Sequence, residues 1–461
     1  MLPAPKHASH GIVPSPPIVS DELLHVGNGL RLLDNPGQFL AEARSEYGDT
    51  FLVDVFGYQL LCTFAPKGLE CLYQLPEEDA SFGLATYDLV GFKTPAEVFI
   101  DTDAQLFYQL LTVKRVNGYL PDMEALCDLE IERLGDRGEF EVFDRIRTLE
   151  QRMGYRLWIG TDASSDAWWK RLKQQFDVLD QERAFVDPAA ILETIKSNKA
   201  RERAAVIEIR HLIDQIWSAR ADGAQQHDDT LTFLHQKFSG EADPSIRHRK
   251  VAHNVINANQ GFLSNLYAAI SWCLIHTISQ PAYLSRAREE IAQQRAKYGS
   301  ELYRNAQALS EMVYLEQLLM ESVRVAQRSI TLRKVVNPVT LDDGAQQYRV
   351  PPGVYITTLL TVTNLQTSEL SRFDPEHYVK NRLSSQLNLP GKETVSTFGH
   401  GKHACPAQRF SHMMNKIVLG KLLETFNFTP LFDDAQPSSV QLGGVARSAE
   451  PCPLAYRKLK P

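Results

Sequence analysis

The chain has 461 residues, 43% of them hydrophobic and 23% charged, a globular composition that excludes both a short disulfide scaffold and an intrinsically disordered chain. Lys and Arg number 49 against 56 Asp and Glu, a net charge of −7, so the broad basic surface that nucleic-acid binding relies on is not expected. The cysteines, at positions 62, 71, 127, 273, 405 and 452, include no CxxC pair and no clustered Cys/His spacing of the kind zinc uses. They are too sparse for a stapled secreted fold, and a reducing cytoplasm fits them best.

The opening MLPAPKHASHGIVPSPPIVS is rich in proline and small polar residues and has no long apolar run. Residues 1–20 therefore read as an extended arm, with neither signal peptide nor membrane anchor expected. Asp49–Phe64, DTFLVDVFGYQLLCTF, places two β-rich runs around a Phe-Gly-Tyr turn and predicts a hairpin. Most of the roughly 270 residues that follow read as helices, with apolar residues recurring at helical spacing between about Leu120 and Leu234. No internal repeat and no clean linker divides the rest. The reading is one domain over residues 21–461, mainly α with a small β portion.

The longest predicted helix opens at Asp243-Pro244, a capping Asp before a proline at the first helical position, and runs to Gln280 before Pro281. Its most apolar run, Phe262–Ile278, is interrupted by Ser264, Asn265, Ser271 and His276. That falls short of the roughly 20 clean residues of a spanning helix, so it reads as a buried one. Asn257, Asn259, Gln260, Gly261, Ser264 and Asn265 put amides, a hydroxyl and a helix-weakening glycine into otherwise apolar surroundings. Two readings stay open, satisfied polar contacts between helices or the lining of a ligand cavity. A second helix, about Leu309–Val325, places Met312, Leu315, Leu319 and Val323 on one face. Glu321 and Arg324 can meet on its side, although pairs at this spacing are mostly solvated and weak.

Near the carboxyl end, TFGHGKHACPAQRFSHMMNKIVLGKLLETF joins a glycine-studded loop to an apolar-periodic helix, with Cys405 at the join. A helix amino terminus carries partial positive charge and unpaired N–H groups that favour thiolate over thiol. Gly399 and Gly401 permit tight turns against a flat ligand, Phe398 offers an aromatic face and His403 a polar donor.

Phe398, Gly401 and Cys405 match the F-x-x-G-x-x-x-C haem loop of the cytochrome P450 superfamily, which this sequence resembles over nearly its whole length. Glu321-Ser-Val-Arg324 looks like the family's E-x-x-R, and FDPEHY around His377 looks like its PERF-type motif. The resemblance implies the family's mostly α triangular prism, with haem b between the long helix and the helix after Cys405. It implies that Cys405 is the thiolate ligand to the iron, that His403 and Arg333 meet haem propionates, and that Glu321, Arg324 and His377 form a structural cluster. There are departures: Ala407 and Ser411 replace a common glycine and alanine, Pro406 removes an N–H, and no W-x-x-x-R falls in register within Phe107–Arg115.

Asn265 stands at the family's oxygen-handling threonine and Ser264 at its acidic neighbour, so these are the candidate catalytic positions. Asparagine occurs there both in members that hydroxylate sterols with oxygen and in members that rearrange peroxides. The resemblance leans toward the sterol- and lipid-acting branch. It implies a monooxygenase that inserts one oxygen atom into a small apolar substrate, taking electrons from a separate ferredoxin or flavodoxin, with Lys402 and Arg409 as candidates for a small basic docking face. The alternatives are a peroxide isomerase or dehydratase, and a non-catalytic haem sensor.

Overall fold

The computed structural model describes residues 11–20, 26–89, 93–103, 105–180, 193–194, 196–221, 229–263, 265–379, 383 and 389–459. Helices dominate, and among these residues the strands are β1 (Thr50–Val55), β2 (Tyr58–Thr63), β3 (Ala80–Ser81), β4 (Arg137–Glu141), β5 (Ile330–Val335), β6 (Val339–Asp342), β7 (Gln347–Val350), β8 (Tyr355–Leu359), β9 (Phe426–Pro430) and β10 (Pro453–Lys458). The expected hairpin is β1–β2, antiparallel, with Val55 opposite Tyr58. Its two turn residues, Phe56 and Gly57, both have positive φ (52° and 84°), as a two-residue turn matched to strand twist requires.

The chain divides into two compact units. The first comprises Met1–Phe92, Met320–Cys405 and Pro437–Ala449. It holds the sheet β1-β2-β8-β5-β3, in which only β2–β8 is parallel, and the ribbon β6-β7. Alternate residues of β1 and β2 face opposite ways, and both faces are covered. Phe51, Val53, Leu60 and Cys62 pack with Phe39, Phe64 and Tyr355, while Leu52 and Leu61 pack with Leu72, Val350 and Ile356. The amino-terminal arm is extended from residue 11 to 20 and lies along the edge strand: Val19 N–H donates to Leu52 O (2.9 Å) and Leu52 N–H to Pro17 O (2.8 Å).

The second unit comprises Lys93–Leu319, Pro406–Gln436 and Glu450–Pro461, helical apart from the ribbon β4-β10-β9. Strand β4 interrupts the stretch predicted to be helical from Leu120 to Leu234; its RGEFE sequence pairs with residues more than 300 positions away, a partner that local periodicity does not reveal. Tyr119, Trp158, Phe262 and Phe410 form an aromatic cluster with ring centroids 5.5 to 6.3 Å apart, joining the helices Val113–Leu134, Val142–Trp158, Pro244–Leu263 and Gln408–Thr425.

The single helix expected over 243–280 is two helices, Pro244–Leu263 and Leu266–Ser279. At the junction Asn265 has φ −139° and ψ −28°, outside the helical well, and acts as the cap from which the second helix starts. Pro244–Ser279 is long and apolar enough to cross a membrane, but 71% of its most apolar window is buried inside the protein, as a core helix requires. The helix expected over 309–325 is likewise split, into Ala306–Glu311 and Val313–Ala326, at Met312 (ψ 75°).

Candidate active site

The cysteine loop closes on itself within the first unit. Cys405 N–H donates to Phe398 O at 2.6 Å, across a short turn at Gly401–His403. Gly399 and Gly401 have φ of +73° and +56°. A Cβ on Gly399 would lie 2.5 Å from the His403 carbonyl oxygen, and one on Gly401 would lie 3.0 Å from the Tyr73 carbonyl oxygen. Both glycines are therefore required by the chain's own close approaches as well as by backbone conformation. Cys405 is half-buried, whereas Cys62, Cys127, Cys273 and Cys452 are buried; burial pushes the Cys62 and Cys127 thiols far up. The helix Gln408–Thr425 begins three residues beyond Cys405.

Two candidate propionate contacts lie in the same unit. Arg333 sits on β5 opposite Ile356 and is 2% exposed. Among the described residues its guanidinium donates once, from Nη1 to Leu332 O (2.6 Å), and its Nε is buried without a partner. Burial pushes its pKa down to about 10. The nearby Glu77 carboxylate is occupied, accepting from the Ser81 hydroxyl and the Phe82 and Gly83 N–H groups. His403 donates from Nε2 to Leu75 O (2.8 Å), which leaves Nδ1 for another group. Burial, then the Arg333 charge, hold this imidazole below its ordinary range. A buried cation without a carboxylate partner among the described residues, in the same unit as the half-buried Cys405 thiol, fits a group that carries both anionic carboxylates and a thiolate-binding metal.

Glu321, Arg324 and His377 come together in a closed cluster. All five N–H groups of Arg324 are used: Nε and Nη2 bond the Glu321 carboxylate (2.7 and 2.6 Å), Nη1 bonds the carbonyls of Asn364 and Leu370 (2.6 Å each), and Nη2 also bonds Arg372 O (3.0 Å). His377 Nδ1 and Asp374 N–H donate to Glu321 Oε1 (3.0 and 2.8 Å). Both side chains of the Glu321–Arg324 pair are 0% exposed. Burial raises the Glu321 carboxyl, but the Arg324 and His377 hydrogen bonds outweigh it and hold it below the ordinary range.

The polar residues of the Pro244–Leu263 helix, in the second unit, divide between the two readings left open by the sequence. Asn254 makes interhelical contacts, donating to Asp101 O and Lys250 O (3.1 and 2.7 Å) and accepting from Asp103 N–H (3.0 Å). Asn259 is 1% exposed with both amide atoms unpartnered among the described residues. Asn257, Gln260 and Gly261 recur at i, i+3 and i+4, one helical face, and are half-buried or exposed between buried neighbours, while Asn265 is exposed at the break after the helix. Ser264 lies outside the described residues. The Phe107 ring lies over Gly261, where a Cβ would sit 2.8 Å from it.

In the region from Phe107 to Arg115, the Arg115 guanidinium stacks 4.1 Å from the Phe233 ring centroid. Lys402 is exposed. Arg409 is half-buried and donates to Asn117 Oδ1 (3.0 Å), so it is not the free surface charge its sequence neighbourhood suggested. Thr94, which Gln260 contacts, was missed at the sequence level; a lone Thr before Pro95 carries no local signal of chemistry.

The family model described as Cytochrome P450 matches residues 160–454. The chain belongs to the cytochrome P450 family. It is 21% identical over 461 residues to human 24-hydroxycholesterol 7-alpha-hydroxylase, covering 96% of this chain and 94% of that protein. It is 22% identical over 415 residues to the putative cytochrome P450 120 of Synechocystis, covering 88% and 89%, and 25% identical over 366 residues to the cytochrome P450 monooxygenase ntnM of a Nectria species, covering 73% and 67%. The solved structure of a retinoic acid bound cyanobacterial CYP120A1 superposes with a TM-score of 0.73 at 18% identity, covering 97% of this chain and 99% of that one. The P450 fold is therefore shared, and this P450 is an oxidoreductase, a haem-dependent monooxygenase.

Proposed function

We propose that this P450 is a haem b monooxygenase that hydroxylates a small apolar substrate of sterol or other lipid type, working as one catalytic domain over residues 21–461 behind the arm 1–20. The observation that carries the reading is the closed loop that ties Cys405 N–H to Phe398 O (2.6 Å) and leaves this cysteine half-buried. Haem held there supplies reductive activation of dioxygen, one atom entering a C–H bond of the substrate and the other leaving as water. Cys405 would hold the haem iron through its thiolate, and Phe398 and Gly401 shape the loop that presents it. Arg333 would neutralise and His403 would hydrogen-bond the carboxylates of the group, an arrangement supported by the unpaired Nε of Arg333. Glu321, Arg324 and His377 are structural. Asn265, with Ser264 beside it in sequence, orients water by its amide, since neither side chain offers an acidic proton at neutral pH.

Electrons come from a separate ferredoxin or flavodoxin, with Lys402 the exposed charge nearest Cys405 in sequence. A cytoplasmic setting agrees with six free cysteines. The relative named as a 24-hydroxycholesterol 7-alpha-hydroxylase, matched over 96% of this chain, supports the sterol lean. The test is product formation from sterol and fatty-acid substrates, and from lipid hydroperoxides, with oxygen and reductant withheld in turn. Dependence on both is expected. Turnover of the peroxide alone, undiminished without oxygen, would make the enzyme a peroxide isomerase or dehydratase; haem binding with no turnover of any substrate would make it a sensor. Cys405→Ser should abolish the far-red-shifted carbon monoxide band of the reduced holoprotein, and serine at each of the other cysteine positions should not.

A further inference from the structure

We propose that Gln260 and Thr94 form a recognition pair for a hydroxyl group on the apolar substrate; the inference rests on the sterol or lipid reading given above. Gln260 is half-buried on the Pro244–Leu263 helix, on the same face as Asn257 and Gly261. Its Nε2 donates to Thr94 Oγ1 and to Leu179 O (3.3 Å). A carbonyl oxygen only accepts, so the Leu179 contact fixes which way the carboxamide points. Its Oε1 is buried, with no donor among the described residues.

Thr94 is 0% exposed and its backbone is pinned, since Lys199 Nζ donates to its carbonyl oxygen at 3.2 Å. Its hydroxyl accepts from Gln260, which leaves the hydroxyl hydrogen without an acceptor among the described residues. The pair therefore presents one free acceptor and one free donor side by side. A substrate hydroxyl satisfies both, donating to Gln260 Oε1 and accepting from Thr94 Oγ1. A ketone satisfies only Thr94, and a methyl group neither. A hydroxyl pairs a buried acceptor that a ketone or a methyl leaves as it is in the free protein, and that gain is where discrimination arises. Neither residue touches the reacting atoms in this scheme; they set specificity.

The experiment uses the haem-loaded full chain and matched sterol pairs that carry either a hydroxyl or a ketone at the same carbon, ring carbon 3 or side-chain carbon 24. Dissociation constants are read from the haem absorbance shift and independently from tryptophan fluorescence. Wild type is expected to favour the hydroxyl member of one pair by roughly tenfold or more. Gln260→Met, close in length but without the acceptor, should bring that ratio to about one while changing the ketone's affinity less than about threefold. Thr94→Val, which leaves the helix untouched, should lower the ratio partway and keeps the test intact if Gln260→Met does not fold. A wild-type ratio of one, or equal weakening of both members in the variants, overturns the pair while leaving the sterol reading in place. Binding of no sterol of either kind overturns the sterol reading, and this inference with it.

Discussion

Two buried arginines in the same unit are built to opposite specifications. Arg324 has every N–H engaged, with Glu321 beneath it and three backbone carbonyls around it. Arg333, almost as deeply buried, donates to the carbonyl of the residue before it and keeps its Nε unpaired. A buried charge is tolerated only when paired. The first site is therefore complete in the chain itself, whereas the second is complete only with an anion from outside. The same contrast holds in the second unit, where Asn254 is saturated by backbone partners and Gln260 keeps an acceptor in reserve.

The contrast breaks most directly at Glu321. Glu321→Ala leaves Arg324 charged and unpaired, at a cost of about 3 to 5 kcal/mol, and should abolish soluble, haem-loaded protein; an unchanged yield and melting temperature would mean that the cluster does not bear on the fold. Arg333→Met removes a charge that no carboxylate of the described residues bonds, so its melting without haem should stay close to wild type. Its haem affinity should fall by about 1.5 to 3 kcal/mol, roughly ten- to hundredfold, read as the rate of haem transfer to apomyoglobin. A fall in haem-free stability like that of Glu321→Ala would place Arg333 among the closed clusters.

A pH dependence sharpens the comparison with a third buried nitrogen-bearing side chain, one that burial keeps neutral. His235 stacks on Trp217 at 3.6 Å. Burial, then the charges of His248, Arg247 and Arg220, push its pKa down from 6.5 to about 3. The folded state thus keeps it neutral, while the unfolded chain takes up the proton below pH 6.5. Its contribution is intact above that pH and is lost progressively as pH falls toward 3. After discounting for partial exposure, roughly 1 to 2 kcal/mol should disappear between pH 6.5 and 4.5, and His235→Phe should flatten urea-unfolding stability across that window. An unaltered slope would show that His235 is protonated in the folded protein. The smallest effect belongs to Lys67–Glu70, which has the i,i+3 spacing of Glu321–Arg324 but lies 3.7 Å apart with side chains 56% and 54% exposed. Lys67→Ala should change stability by less than about 0.5 kcal/mol, so that the same sequence spacing spans an order of magnitude in energy.

That range marks the boundary between what the chain reveals alone and what folding adds. The sequence by itself determined the family, the hairpin at 49–64, the mainly helical class and the candidate haem loop, because hydrophobic period, turn residues and the Phe398-Gly401-Cys405 spacing are local properties. It also located the six odd polar positions of the long helix. Only the tertiary structure decided that Gln260 bonds Thr94 and Leu179 while keeping a buried acceptor unpartnered among the described residues, that Asn265 breaks the helix in two, that RGEFE is a strand paired with the far carboxyl end, and that Arg333 is a buried cation short of a partner among the described residues. Burial and hydrogen-bond partners come from segments tens to hundreds of residues apart, and no local pattern encodes them.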